Sequence, residues 1–164
     1  MNPPGRSILF VAIIGLLAMM GGIVYYASLD NDDLSSATIE LQEVELLDVN
    51  SIENRATLKI TFLVANPGEV TLTVPLISYK LYADGSEIGH GAYSTEDVAM
   101  PGRAAFYPDS EIPLKNKISI VMSEMSETVY NKIVSGQTVQ YSATGQMTVE
   151  SAWSIVELDF DTSS

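Results

Sequence analysis

Side-chain catalysis needs a nucleophile, a base and a group to orient them, and this chain has few candidates for any of these roles. It has one histidine, His90, and no cysteine. The missing cysteine excludes thiolate nucleophiles, thiolate metal sites and disulfides. His90 lies between Gly89 and Gly91, just after a hairpin signal. General-base chemistry would require a nucleophile and an orienting acid beside it, and nothing in the sequence places them there. It reads as an exposed hairpin histidine. Asp30, Asp32 and Asp33 could attract a divalent cation, but a calcium loop of the EF type needs glycine at its sixth position and glutamate at its twelfth. Those positions hold Ser35 and Leu41, so the cluster reads as solvated. Met122, Met125 and Met147 read as core filler rather than a copper site. Trp153 and the tyrosines at 79, 82, 93, 107, 130 and 141 could line a lipid or ligand groove, although alternation places most of them in the core or at its rim. No nucleophile elbow or glycine-rich phosphate loop occurs. The sequence therefore predicts a protein that is not an enzyme, with no catalytic, metal-binding or cofactor-binding residue and no cofactor.

The element that positions everything else is the stretch from Ser7 to Leu29. No charge occurs in these 23 residues between Arg6 and Asp30. About 20 apolar residues at ~1.5 Å each cross a hydrocarbon core of ~30 Å. A cleaved signal would need small residues before the cut, and the best cut, after Ala27, puts Tyr25 where a small residue is wanted. An uncleaved anchor is the expectation. Arg6 before the span and the aspartates after it predict a cytoplasmic head and an outside domain. Tyr25 and Tyr26 suit the outer interface. Ala18 and Gly22 form a small-xxx-small pair, which reads as a lipid-facing small patch before it reads as a helix-pairing face.

Four regions are expected: a short cytoplasmic head over 1–6, a transmembrane helix over 7–29, an acidic linker over 30–37, and one domain over 38–164. All 21 acidic residues and seven of the eight basic ones lie beyond residue 29, a balance of −14. A field of that sign repels nucleic acid and anionic head groups. No Asn-x-Ser/Thr acceptor is present.

The exposed region has the period of two that marks strands. Ile39 and Leu41 share one parity, Val44 and Leu46 the other, which predicts a bulge in a long first strand. Ala56, Leu58, Ile60, Phe62 and Val64 form a clean inward row ending at the Asn66-Pro67-Gly68 turn. Val70, Leu72 and Val74 change parity at Pro75, after which Ile77, Tyr79 and Leu81 continue; this predicts an edge strand or a bulge. Asp84-Gly85 predicts a hairpin, and Pro101-Gly102 another turn. From Ile112 the apolar residues are Leu114, Ile118, Ile120 and Met122. Met122, Met125, Val129 and Ile133 then fall at helical spacing, with Ser123 as cap and Gly136 past the end, predicting one helix of about 12 residues. Two strands close the chain: one through Val139, Tyr141, Ala143, Met147 and Val149, one through Trp153, Ile155, Leu158 and Phe160. The fold class is mainly β: an antiparallel immunoglobulin-like β-sandwich of about seven strands with one short helix, preceded by one transmembrane helix.

The stretch VANPGEVTLTVPLISYKLYADGSEIGHG resembles the centre of the water-stress-and-hypersensitive-response (WHy) domain of the late-embryogenesis-abundant group-2 (LEA2) proteins. The landmarks are Asn66 and Pro67, the Tyr79-to-Tyr82 pair, Gly85, Gly89 and Gly91. The end, SGQTVQYSATGQMTVESAWSIVELDF, is also similar, and the resemblance covers roughly residues 36–161. It departs from soluble seed-type members by its anchor. The resemblance implies a folded sandwich without enzymatic activity, with a role in stress tolerance, and the landmarks are carried over as structural residues only.

The expected function is a membrane-anchored protective or protein-binding domain outside the cytoplasm. Its expected partners are membrane lipid through residues 7–29, and membrane proteins or stress-unfolded clients, but not nucleic acid. The alternative is a single-span accessory subunit of a larger membrane complex.

Overall fold

The computed structural model describes residues 4–95 and 104–164. Helix α1 (Pro4–Ser28) begins on a proline, tolerated there because the first turn leaves its N–H groups unpaired in any case. From Ile8 to Tyr26 its large apolar side chains stand 45–70% exposed on all sides. A helix that is apolar all round buries itself in a core or in a membrane. This one has no protein core around it, and it is long and apolar enough to cross a membrane.

The acidic stretch after it is not a solvated linker. It forms α2 (Asp30–Ser35), and Leu29 between the two helices keeps helical dihedrals, φ −67° and ψ −28°. Composition predicted solvation, but one apolar side chain decides otherwise: Leu34 is completely buried in the core of the domain. Asp30, Asp32 and Asp33 occupy the first turn, where the helix dipole favours acids.

Eight strands follow among the described residues, in two antiparallel sheets. β1 (Thr38–Asn50), β2 (Arg55–Asn66) and β6 (Ser110–Val121) form one, in the order β1-β2-β6. The other has the order β4-β3-β7-β8, from β3 (Leu72–Ala83), β4 (Ser86–Ser94), β7 (Tyr141–Glu150) and β8 (Ile155–Ser163). The short β5 (Ala105–Phe106) pairs with β3 at Leu72 and Thr73. The expected bulge in β1 is a register shift between Leu41 and Glu43. The parity change at Pro75 is a bulge rather than an edge: β3 runs between β4 and β7, and its register against β7 shifts between Thr73 and Leu76. The β3–β4 hairpin turns at Asp84 (φ 50°) and Gly85 (φ 78°), both left-handed as a two-residue type I′ loop requires. The Pro101-Gly102 turn lies outside the described residues.

The inner faces meet in one core containing Leu58, Ile60, Phe62, Val64, Ile77, Leu81, Ala143 and Met147, each fully buried. A fully buried Leu, Ile or Phe contributes about 1.5–3 kcal/mol relative to exposure. Phe62 packs edge-on against Tyr79 and Phe160, with ring centroids 4.9 and 5.8 Å away.

Two expectations near the end of the chain need correction. The helix is shorter than its apolar spacing implied. Met122–Glu124 is a 3₁₀ turn, Met125 is extended, and α3 spans Glu127–Val134 with Ser126, not Ser123, at its N-cap position. A 3₁₀ turn advances three residues, so Met122 and Met125 mimic the helical period without belonging to the helix. Trp153 is not in the last strand but in the turn before it. Val156, Leu158 and Phe160 pack on the core, while Trp153 and Ile155 are 64% and 65% exposed.

Candidate functional site

The residues singled out by sequence occupy three structural positions. Asn66 ends β2 and is 1% exposed. Its Nδ2 donates to the carbonyls of Val70 (2.9 Å) and Phe106 (3.0 Å), and its Oδ1 accepts from the Gly68 N–H (3.1 Å). Its own carbonyl accepts from the Asp109 N–H at 2.8 Å. One amide thus ties together the 67–71 loop, β5 and the turn into β6. A Cβ on Gly68 would come within 3.1 Å of the Asp33 carbonyl, so the Asn66-Pro67-Gly68 turn lies directly under the end of α2.

Tyr79 stands at the centre of the second sheet, opposite Gly91 on β4 and Gly145 on β7. Its hydroxyl accepts a 3.0 Å hydrogen bond from Asn116 Nδ2, which also donates to the Ala92 carbonyl. Burial pushes the phenol up to about 12, against the Asn116 hydrogen bond, which works the other way. Gly89 faces Ile118 and Ile120 at ordinary contact distance. Tyr82 is half-buried, next to a register shift between β3 and β4, and Gly85 makes the hairpin. Sequence reasoning missed Asn116 and understated Gly145, since neither position carries a local signal for a partner on another strand.

The outer face of that sheet holds a broad, shallow depression of about 710 Å³, rimmed by Ser78, Lys80, His90, Ala92, Thr144 and Gln146. His90 sits beside Lys80 in the ladder. It is exposed and has no hydrogen-bond or ion-pair partner among the described residues. Lys80 pairs with Glu87 at 3.3 Å. A histidine beside a cation, with no carboxylate oriented on it, is poorly placed as a general base. Among the described residues no group of three His, Asp or Glu side chains could hold a metal ion. The aromatic residues do not assemble into one groove: Tyr79, Tyr93 and Tyr130 are in the core, while Tyr107 and Trp153 are exposed.

The outer face of the first sheet gathers lysines. Lys59 and Lys117 are cross-strand partners, and Lys115 sits opposite Thr61. Lys59 pairs with Glu45 on β1, and that contact raises its pKa. The alternation of Lys115 and Lys117 could have revealed this strip in the sequence.

The chain matches no protein-family model, and no curated protein matches it. Solved structures do. A protein of Arabidopsis thaliana solved in solution is 16% identical, with 77% of this chain and 79% of that one covered, at a TM-score of 0.52. The two chains share a fold. A protein from Archaeoglobus fulgidus is 17% identical over 76% of this chain and 94% of its own, at 0.45. One described as a candidate late embryogenesis abundant (LEA) protein is 8% identical over 96% and 88%, at 0.39. Likeness at these identities concerns the fold. Asn66, Tyr79, Gly85 and Gly91, which carried the resemblance in sequence, all sit at structural junctions of the sandwich.

Proposed function

We propose that this chain is a single-span protein of the cell membrane that holds a non-enzymatic WHy-like sandwich outside the cytoplasm, where the sandwich binds and protects proteins unfolded by stress. One observation carries the anchored part of this reading. A helix whose apolar side chains are uncovered on every side runs almost without interruption into a second helix, whose Leu34 is sealed in the sandwich core. The 20 residues from Ser7 to Tyr26 match a hydrocarbon core of ~30 Å. Arg6 before the span and Asp30, Asp32 and Asp33 after it favour a cytoplasmic amino terminus. The balance of −14 beyond the span keeps the domain soluble and disfavours nucleic acid as a partner. The protective role rests on the resemblance of residues 36–161 to the WHy domain.

Two measurements test the reading. In native membranes the full chain is expected to resist alkaline extraction and to lose its domain to protease added from outside. Extraction into the alkaline supernatant, or protection of the domain in sealed cells, refutes the anchored, outward reading. The full chain reconstituted in vesicles is also expected to suppress aggregation of a thermolabile enzyme on heating; equal aggregation with and without it refutes protection.

The accessory-subunit reading draws on Gly15 and Gly22, which have open space around them, and on Ala18 between them on the same helix face. Close helix approach uses such a face. Mild-detergent extraction decides: a complex of fixed stoichiometry supports this reading, and a solitary chain removes it.

A further inference from the structure

Tyr26 lies in the last turn of α1, and its ring meets the indole of Trp153 edge-to-face, with centroids 6.4 Å apart and planes at 81°. The two rings belong to different parts of the molecule: one ends the apolar helix, the other tips the turn between β7 and β8. Both remain 64% exposed, and Ile155, two residues after Trp153 at the start of β8, is 65% exposed. Three large apolar side chains are thus grouped at the end of the sandwich from which α1 leaves, and they have not collapsed onto the core.

The turn that presents Trp153 is held rigidly. The Ser151 N–H donates to the Ser154 carbonyl at 2.9 Å. Ser151 Oγ accepts from the N–H groups of Trp153 (3.2 Å) and Ser154 (3.1 Å) and donates to Asp30 Oδ2 at 2.9 Å. Ser154 Oγ donates to Asn31 Oδ1. The turn is therefore fastened to the first residues of α2, immediately after the apolar helix. Its height along the helix axis is set by that attachment.

The same attachment sets its height relative to a bilayer. If the residues from Ser7 fill a core of ~30 Å at ~1.5 Å per residue, the outer boundary falls near Tyr25 and Tyr26, the level at which tyrosine and tryptophan rings concentrate. Trp153, in contact with Tyr26, is at that level too. We propose that the β7–β8 turn is a second membrane contact, with Trp153 and Ile155 seated in the interfacial layer of the outer leaflet beside the span. The proposal rests on the single-span reading. The contact fixes the tilt of the sandwich on the membrane, because two points of attachment replace one. The lipid it suits is zwitterionic. Asp32 and Asp33 on α2, and Glu157 on β8, set an acidic surround that disfavours anionic head groups.

Trp153 is the sole tryptophan, so indole fluorescence reports this one position without any substitution. The experiment reconstitutes the full chain in phosphatidylcholine vesicles with bromine on the acyl chains, either near the head group or near the chain end. The expected result is a drop in emission of about twofold with the shallow bromine relative to unbrominated vesicles, and a smaller drop with the deep one, as an interfacial depth requires. Bromine is present in both leaflets, so the direction of insertion does not matter. If the chain floats with the vesicles and resists alkaline extraction while its emission ignores both brominated lipids, the turn does not touch lipid and the proposal is overturned, with the span left standing. A blue-shifted emission that bromine does not quench means that protein, such as a second copy, covers the indole; this also overturns it. A chain that fails to float removes the single-span reading, and the proposal with it.

Discussion

Tyr79 and Gly91 face each other across β3 and β4, and a Cβ on the glycine would lie 2.5 Å from the tyrosine hydroxyl oxygen and 2.7 Å from Ile118 Cγ2. The tyrosine is wedged between the sheets by Phe62 on one side and Asn116 on the other. Its ring needs the space that a side chain on β4 would fill.

A graded series of alanines tests this. Gly89→Ala, whose Cβ meets Ile118 and Ile120 at an ordinary 3.7 Å, is expected to leave stability nearly unchanged. Gly91→Ala overpacks the core and should cost about 1–3 kcal/mol. Gly145→Ala is worst, because its Cβ would fall 2.1 Å from the Ser78 carbonyl oxygen, and a backbone neighbour cannot rotate away. Denaturant midpoints of the full chain in detergent should fall in that order. Equal midpoints for Gly89→Ala and Gly145→Ala would contradict the close β3–β7 approach.

Asn66→Ala should destabilise by about 3 kcal/mol, because it strips buried partners from two carbonyls and one N–H. Asn66→Asp should be at least as damaging, since it turns a carboxylate oxygen toward the Val70 and Phe106 carbonyls. Its midpoint should recover partly as pH falls and the acid protonates to a donor. Unfolding curves at neutral and acidic pH give the comparison. A midpoint for Asn66→Ala within error of the parent would mean that water replaces these bonds.

The sandwich was largely legible because each strand buries one face, and the alternation of Leu58, Ile60, Phe62 and Val64 records that directly. The bulge after Leu41 and the Asp84-Gly85 hairpin were legible for the same local reason. What was not legible depends on contacts distant in sequence. Asp30–Ser35 is polar by composition and becomes an ordered helix through Leu34 and through Ser151 and Ser154, more than a hundred residues away. Met122 and Met125 carried a helical spacing that a 3₁₀ turn also satisfies. Trp153 matched the parity of Ile155, but Ile155 opens β8 on its outward face, and the turn that holds Trp153 out of the core rests on hydrogen bonds that no hydrophobic pattern reveals. At the Tyr79 site, the glycines were visible as landmarks, but Asn116 was not, since its partner lies on the opposite sheet.

Acid stability should depend in part on the hairpin. Asp84 accepts from Lys132 Nζ at 2.9 Å and from the Gln140 N–H at 3.1 Å, and these hydrogen bonds, the lysine's first, hold its carboxyl below the ordinary carboxylate value. A lowered folded pKa favours the native state above the unfolded value and loses that contribution as pH falls through the folded one. The affected window lies below about pH 4. Asp84→Asn keeps a residue that tolerates the left-handed turn, and it should flatten the acid limb of the melting temperature against pH. An unaltered acid limb would show that the pair is screened.

At the other end of the scale, Tyr79 should titrate late. Its phenol lies near 12 because burial disfavours the phenolate, against an ordinary value near 10. A raised folded pKa gives stability that is complete below about pH 10 and is lost as pH rises toward 12, a difference of about 3 kcal/mol across the window. Phenolate absorbance during an alkaline titration should contain a late component that unfolding releases. Tyr79→Phe should remove that component and soften the alkaline loss of stability. Its cost at neutral pH is expected to be about 1 kcal/mol, because Asn116 keeps the Ala92 carbonyl. If the late component survives in Tyr79→Phe, the group responsible is Tyr93 or Tyr141, which burial also pushes up.

Leu34 decides whether the sandwich is fastened to α1 or merely tethered by it. It is fully buried although four of the six residues of its helix are Asp or Asn. Leu34→Ala should cost about 2–5 kcal/mol through the cavity left behind. The local consequence is more telling. Without that side chain no buried apolar group of α2 anchors it in the core, and the helix depends on its hydrogen bonds to Ser151 and Ser154. Limited proteolysis of the full chain in vesicles should then cut within residues 28–37 well before the strands are attacked, whereas the parent chain should resist there. Leu34→Met, which keeps most of the volume, should restore resistance. If the parent is cut in this segment as fast as Leu34→Ala, α2 does not stay docked and the sandwich moves freely on its anchor.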